Sequence, residues 1–299
     1  MFKMYTKNIS LVLIISSFTI LPMNQSFKCK LDGLGGTIPD EACLASQFLK
    51  NYIKYTKEQL DQLKRVWMFY GYNGTGKTQG AHVVAKNSSA EILKHMAKTI
   101  AYNAQGRKNI TVELFKIFDE AKKIAATGKA VVILIDEVDV LNEEIIKEFF
   151  TSLRACLDCI NDNPNIIVIL TSNKLEDIDT GVLQRCSKVH WPIPSAENRL
   201  EIFKFYANKF KMNIPETVIK EWAKKAIAFT GREIENIFQG EHSFCIQTGK
   251  PLRLKAMEES MDKIIECKKS QNTYFELTPN VKKTLMDGIK EIISIIFGD

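Results

Sequence analysis

The sequence predicts an α/β fold, in which a parallel sheet flanked by helices is followed by a small all-α subdomain. Three short runs of strand-forming residues each end in glycine or in polar residues. Two of them, 130–135 and 166–170, are continuously apolar, as is typical of strands buried on both faces of a parallel sheet. After Pro194 the strand signals stop and apolar residues recur at helical spacing, which predicts the all-α part.

Composition indicates a soluble globular protein. The 299 residues are 45% hydrophobic and 25% charged, which excludes long disorder, collagen and a multi-span membrane protein. The net charge of +6 is spread along the chain without a long basic run, so nucleic acid is not indicated as a partner. Seven irregularly spaced cysteines do not form a disulfide framework, and the scattered histidines contain no H-E-x-x-H motif.

The first 26 residues differ from the rest. Lys3 and Lys7 precede an apolar run over 9–21, which Pro22 ends. A basic start before about a dozen apolar residues predicts a signal-like or membrane-anchor segment, with membrane contact through 9–22. A buried hydrophobic segment is the alternative, and the localisation stays open between them.

A phosphate-binding motif follows the first predicted strand, 66–70. It matches G-x-x-x-x-G-K-[ST], with these residues: Gly71, Tyr72, Asn73, Gly74, Thr75, Gly76, Lys77 and Thr78. The next residues read as a helix, so the order is strand, glycine loop, helix, as in a P-loop. Loop N–H groups and the helix N-terminus bind phosphate oxygens, Lys77 adds charge, and Thr78 is a ligand for Mg²⁺.

Acidic residues end the second apolar run. Asp136 and Glu137 follow the run directly and are expected beside the P-loop. Asp136 is predicted to hold the Mg²⁺ shell, and Glu137 is predicted to orient and polarise a water for attack on the γ-phosphate. A charged turn after a core strand is the alternative.

A neutral amide ends the third apolar run. Asn173 follows Thr171 and Ser172, and it can hydrogen-bond both an attacking water and a γ-phosphate oxygen without adding charge. The alternative is an ordinary turn at the end of a strand.

Three strands with these endings, in this order, resemble the AAA+ ATPase family over most of the chain. Residues 131–139 are similar to its Walker B motif, 170–173 to sensor 1, and 32–36 to its glycine-containing linker. The resemblance implies an AAA+ nucleotide-binding α/β domain over 27–194 and a helical lid over 195–299. It also implies ATP and Mg²⁺ as cofactors.

Two arginines extend the resemblance. Arg185 resembles the arginine finger, which in that family reaches the nucleotide of a neighbouring subunit. Arg232, in a segment similar to sensor 2, is expected to face back across the cleft, because Thr230 and Glu233 form a capping box around it. The alternatives are a surface salt bridge for Arg185 and an ordinary exposed side chain for Arg232.

Two further segments carry expectations. Val281, Leu285, Ile289 and Ile292 share one face of a predicted final helix, 279–297, which packs on the lid or on a neighbour. In remodelling relatives the loop after the second strand carries an aromatic-apolar-glycine motif. Here Tyr102 stands in that loop, predicted over 99–106, with the wrong spacing to the following glycine.

The residues and the resemblance together predict an ATP-hydrolysing AAA+ ATPase. It is expected to assemble into a homo-oligomeric ring and to remodel an unknown protein substrate. The alternative is a nucleotide-gated binding or scaffold module with negligible turnover. A nucleic-acid loader of the same family is less favoured, because no concentrated basic stripe occurs.

Overall fold

A computed structural model describes residues 38–104, 109–141, 143–160 and 162–270. Its described residues form one five-stranded parallel sheet in the order β2-β3-β4-β1-β5. The strands are β1 Val66–Tyr70, β2 Glu91–Met96, β3 Val131–Asp136, β4 Ile166–Ser172 and β5 Cys186–His190. The predicted α/β class is therefore confirmed, with β3, β4 and β1 as the three central strands.

Helices cover both faces of the sheet. They are α1 Asp40–Asn51, α2 Lys57–Gln62, α3 Lys77–Asn87, α4 Ala97–Asn103, α5 Ile110–Ala125, α6 Glu143–Asp158 and α7 Thr180–Arg185. Ile133 and Ile135 of β3 pack on the face covered by α5 and α6, whereas Leu134 packs on the face covered by α1 and α3. All six residues of β3 are buried, as the continuous apolar run predicts.

In the described part of the chain, four helices follow β5 and form the lid. They are α8 Ala196–Lys209, α9 Glu216–Lys225, α10 Gly231–Thr248 and α11 Leu254–Ser270. Their apolar residues build a separate core around Phe203, Trp222 and Phe238. The described residues after Pro194 contain no strand, as predicted. The domain boundary at 194–195 stays a prediction.

The segment after β2 corrects one expectation. A loop was expected over 99–106, but Ala97–Asn103 is the helix α4. Ala97, Ile100 and Ala101 are buried at the i, i+3, i+4 spacing of one helical face, and this packing stabilises a helix there. Tyr102 is largely exposed on that helix, and Gly106 lies outside the described residues.

Other predicted segments also lie outside the described residues. They are the signal-like or anchor segment 1–26, the glycine-containing linker 32–36 and the final helix 279–297. No helix in the described part of the chain has the length and apolar character needed to cross a bilayer. The predicted anchor and membrane contact through 9–22 stay a prediction, because that segment is not among the described residues.

Trp191 fixes the position of the helix that follows the P-loop. Its ring lies against Gly80 in α3, where an added Cβ would stand 2.0 Å from the ring atom Cη2. The ring is buried beside Phe69, so it cannot simply swing away. Only glycine lets α3 approach β5 this closely.

Gly80→Ala is therefore expected to destabilise the protein by about 1–3 kcal/mol, the usual range for an overpacked core. Gly240→Ala is the matched control, because apart from its chain neighbours and the nearby backbone of its own helix no described atom lies within 4 Å of the added Cβ. That change should be neutral or stabilise the helix by up to about 1 kcal/mol. Urea unfolding of both variants measures the difference, and equal effects would contradict the packing argument.

Candidate nucleotide site

The carboxyl ends of the parallel strands open into one cavity of about 340 Å³ between the sheet and the lid. The predicted residues that line it are Asn73, Gly74, Thr75, Gly76, Lys77, Thr78, Asp136, Glu137, Asn173 and Arg232. They come together because β1, β3 and β4 are neighbours and run in the same direction. Gly71 and Arg185 are the two predicted residues outside the lining.

The P-loop has the backbone that its glycines predict. Gly71 and Gly74 have φ values of 146° and 79°, in the left-handed region that favours glycine. A Cβ on Gly71 would stand 2.2 Å from the carbonyl oxygen of Trp191, and one on Gly74 would stand 2.9 Å from Oγ1 of Thr230. These glycines therefore let the loop lie close to both β5 and the lid.

Lys77 is a buried cation at the start of α3. Its Nζ donates to the carbonyl oxygens of Gly71 and Tyr72 at 2.8 and 2.9 Å, and to Oδ1 of Asn173 at 2.9 Å. Burial lowers its pKa to about 8, against the opposing effect of nearby carboxylates, of which Asp139 is the strongest. The ammonium group is thus held between the P-loop and the end of β4, where outer phosphates are expected.

Asp136 is the most connected carboxylate of the cavity. Its Oδ1 accepts hydrogen bonds from the hydroxyls of Thr78, at 2.8 Å, and Thr171. Nζ of Lys94 lies 3.5 Å from its Oδ2. A hydroxyl and a carboxylate oxygen so close together at a phosphate site are the kind of hard ligands that Mg²⁺ prefers, so Thr78 and Asp136 fit the predicted metal role.

Glu137 has an unusual backbone. Its φ of 57° lies in the left-handed region, which costs energy for a residue with a side chain. The Glu137 N–H donates to Oγ1 of Thr171 at 2.9 Å, so the same hydroxyl group holds both Asp136 and Glu137. This bond fixes the strained turn that brings the Glu137 carboxylate to the cavity wall.

Asn173 is held from two sides. Its backbone N–H donates to Oδ2 of Asp139 at 3.1 Å, and its side-chain oxygen accepts from Lys77. With the oxygen so engaged, the side-chain amide nitrogen is available as the donor that the predicted role requires.

The lid reaches the P-loop through the start of α10. Arg232 donates from Nη1 to Oδ1 of Asn73 and from its backbone N–H to the carbonyl of Gly74, both at 3.2 Å. The capping box of Thr230 and Glu233 is confirmed. The guanidinium therefore faces back across the cleft, as expected, while its role in chemistry stays a prediction.

Arg185 lies elsewhere. It ends α7, and its guanidinium donates from Nε and Nη2 to the two carboxylate oxygens of Asp158 at 2.8 and 2.9 Å. The next residue, Cys186, pairs with Val66 at the beginning of β1, whereas the P-loop follows the end of β1. Arg185 is thus separated from its own P-loop by the length of the strand, about 17 Å at 3.3 Å per residue.

Sequence reasoning missed several side chains of the cavity. No motif indicates a role for Thr171, which lies within β4. None indicates Lys94 either, because β2 carries no recognised motif. The lid also contributes a face of α8, namely Ile202, Phe205, Tyr206 and Lys209. Their i, i+3, i+4, i+7 spacing is a signal for a helical face, although it does not say that the face lines a cavity.

Comparison with known proteins agrees with this geometry. Residues 67–192 match the family model described as ATPase family associated with various cellular activities (AAA). A proteasome-activating nucleotidase of Sulfurisphaera tokodaii is 26% identical over 251 residues, covering 79% of this chain and 62% of that protein. A proteasome-activating nucleotidase of Saccharolobus islandicus is 27% identical over 240 residues, covering 75% and 55%.

A third relative has a different name. Cell division protein C of Sulfolobus acidocaldarius is 26% identical over 264 residues, covering 83% of this chain and 63% of that protein. The chain thus spans between 55% and 63% of the length of these three relatives. The matched domain and the site built around its P-loop support the resemblance of this chain to the AAA+ ATPase family, which the family model shows over residues 67–192.

Proposed function

We propose that the protein binds ATP with Mg²⁺ in the cavity between sheet and lid and hydrolyses it. The observation that carries the proposal is the meeting of Glu137 and Asn173 with Lys77, Thr78 and Asp136 around one cavity. A nucleotide-binding site needs only the last three. The additional carboxylate and amide are the groups that activate and orient a water.

Each group has a distinct task in this proposal. The P-loop N–H groups and Lys77 bind the phosphates, and Thr78 with Asp136 holds the metal. Bound Mg²⁺ would neutralise charge that develops on the phosphate oxygens. Glu137 takes the proton of the attacking water, and the Asn173 amide orients that water. Arg232 closes the lid side, where it already contacts the P-loop.

We further propose that the active form is a homo-oligomer. Arg185 lies at the amino end of β5 and cannot reach the P-loop of its own chain. Its guanidinium is partly exposed and pairs with Asp158, as the alternative of a surface salt bridge also predicts. A ring in which Arg185 meets the nucleotide of the next subunit would use this geometry.

A protein is the proposed substrate. Two of the three relatives are named for activating a proteasome and one for cell division. The chain is therefore proposed to couple hydrolysis to remodelling of a protein or complex. A nucleotide-gated module with negligible turnover is the competing outcome, and turnover of purified protein separates the two.

Glu137→Gln is expected to leave ATP binding intact and to slow hydrolysis at least about a hundredfold, because the amide cannot accept a proton from water. Phosphate release and binding of a fluorescent ATP analogue measure the two effects. Glu176→Gln, an exposed carboxylate three residues beyond Asn173, is the control and should keep wild-type turnover. Unchanged hydrolysis in Glu137→Gln would give the role to another carboxylate, and no turnover in wild type would favour the nucleotide-gated module.

Thr171→Val keeps the side-chain shape but removes the hydroxyl that holds Asp136 and Glu137. We expect kcat to fall by about 10–100-fold, the range for partners that orient catalytic ligands, while ATP affinity changes little. Thr171→Ser retains the hydroxyl and should recover most of the activity. Equal activity of the Val and Ser variants would show that the hydroxyl does not position Glu137.

Mixing two inactive variants tests assembly. Arg185→Ala should hydrolyse ATP poorly, since a trans-acting arginine contributes about 10³–10⁵ in rate. Combined with Glu137→Gln, which keeps its Arg185, it should form some interfaces with one intact site, so activity should rise above that of either variant alone. Two results together would contradict a role of Arg185 in trans. One is no recovery on mixing, and the other is wild-type activity per subunit that does not change as the protein is diluted until it is a monomer.

A further inference from the structure

Lys268 lies near the end of α11, away from the cavity, yet it contacts the turn that carries Arg232. Its Nζ lies 2.9 Å from Oε1 of Glu233 and donates to the carbonyl oxygen of Ala228 at 3.0 Å. The same ammonium stands 5.8 Å from the centre of the Phe229 ring. Lys268 is much less exposed than an ordinary surface lysine, with 14% of its side chain accessible.

The turn that Lys268 contacts has a strained backbone. Ala228 has a φ of 60°, in the left-handed region that an L-residue with a Cβ rarely adopts. Its carbonyl group accepts from Lys268, and Phe229, the next residue, is completely buried in the lid core. The cation therefore secures an unfavourable backbone conformation immediately before α10 begins.

Glu233 connects Lys268 to the start of α10. While its Oε1 pairs with Lys268, its Oε2 accepts from both the backbone N–H and the hydroxyl of Thr230, at 2.7 and 3.0 Å. The two oxygens of one carboxylate thus join the end of α11 to the cap of α10. This cap sets the direction in which the first turn of α10 points.

The first turn of α10 sits on the P-loop. Arg232 bonds to Asn73 and Gly74, and a Cβ on Gly74 would meet Oγ1 of Thr230. A shift of the α10 cap would therefore move the guanidinium relative to the phosphate site. The path from Lys268 to the P-loop consists only of direct contacts through one carboxylate and one cap.

We propose that Lys268 is a positioning residue for the nucleotide site, which holds Arg232 against the P-loop through Glu233 and the Ala228 carbonyl. This inference rests on the proposed binding of ATP in the cavity. It adds a residue of α11 that does not line the cavity and that no motif indicates. A change at the end of α11 should therefore alter the affinity for the nucleotide.

The test compares ATP affinity in full-length variants, measured with a fluorescent ATP analogue and Mg²⁺. Lys268→Met keeps the length of the side chain and removes both polar contacts, so affinity should fall several-fold. In an Arg232→Met background the same change should have no further effect, because the group it positions is gone. Lys268→Arg can still donate to both oxygens and should restore the affinity.

A salt bridge elsewhere on α11 provides the control. Lys225 and Asp262 pair at 2.7 Å between α9 and α11, away from the α10 cap. Lys225→Met should keep wild-type affinity even if it lowers the melting temperature as much as Lys268→Met does. Glu233→Gln breaks the pair from the other side while keeping an oxygen for Thr230, and it should reproduce the loss if Lys268→Met fails to fold.

Two results would overturn the inference. One is wild-type affinity in both Lys268→Met and Glu233→Gln. The other is an additive loss when either change is combined with Arg232→Met. If wild type itself does not bind the ATP analogue, or if Lys77→Ala binds it equally well, the proposed nucleotide function fails instead, and the two failures are thereby distinguished.

Discussion

The rest of the site depends on the contacts that the buried carboxylate of Asp136 makes. It is 5% exposed and joins α3 through Thr78, β4 through Thr171 and β2 through Lys94. A buried carboxylate is costly unless it is paired and hydrogen-bonded, so these elements are constrained to surround it. Because Thr171 also holds the N–H of Glu137, the strained turn after β3 depends on the same centre.

The lid forms the wall of the cavity that faces the sheet. Its own apolar core makes it a separate packing unit, while the capped start of α10 rests on Gly74 of the P-loop. The lid thus contacts the phosphate loop through a small area, and Lys268 contacts the cap of α10 on its other side through Glu233. Arg185, just before the amino end of β5, makes none of these contacts.

Much of this follows from sequence, for physical reasons. Continuous apolar runs predict buried parallel strands, and the glycines of 71–76 predict a loop whose φ values few other residues adopt. The strand order also forces the ends of β1, β3 and β4 together. The roles of Lys94 and Lys268 could not be predicted, because each depends on a contact distant in sequence. The helix α4 is not indicated by the motif expected after β2, since it depends on the burial of Ala97 and Ile100 on one helical face.

The most direct test of the account is the Mg²⁺ dependence of ATP affinity in wild type and in Asp136→Asn. Full-length protein would be titrated with the fluorescent ATP analogue in Mg²⁺ and in EDTA. If Asp136 with Thr78 holds the metal, Mg²⁺ should strengthen binding in wild type, and the strengthening should largely vanish in the variant. An equal Mg²⁺ effect in both proteins would contradict the central position given to this carboxylate.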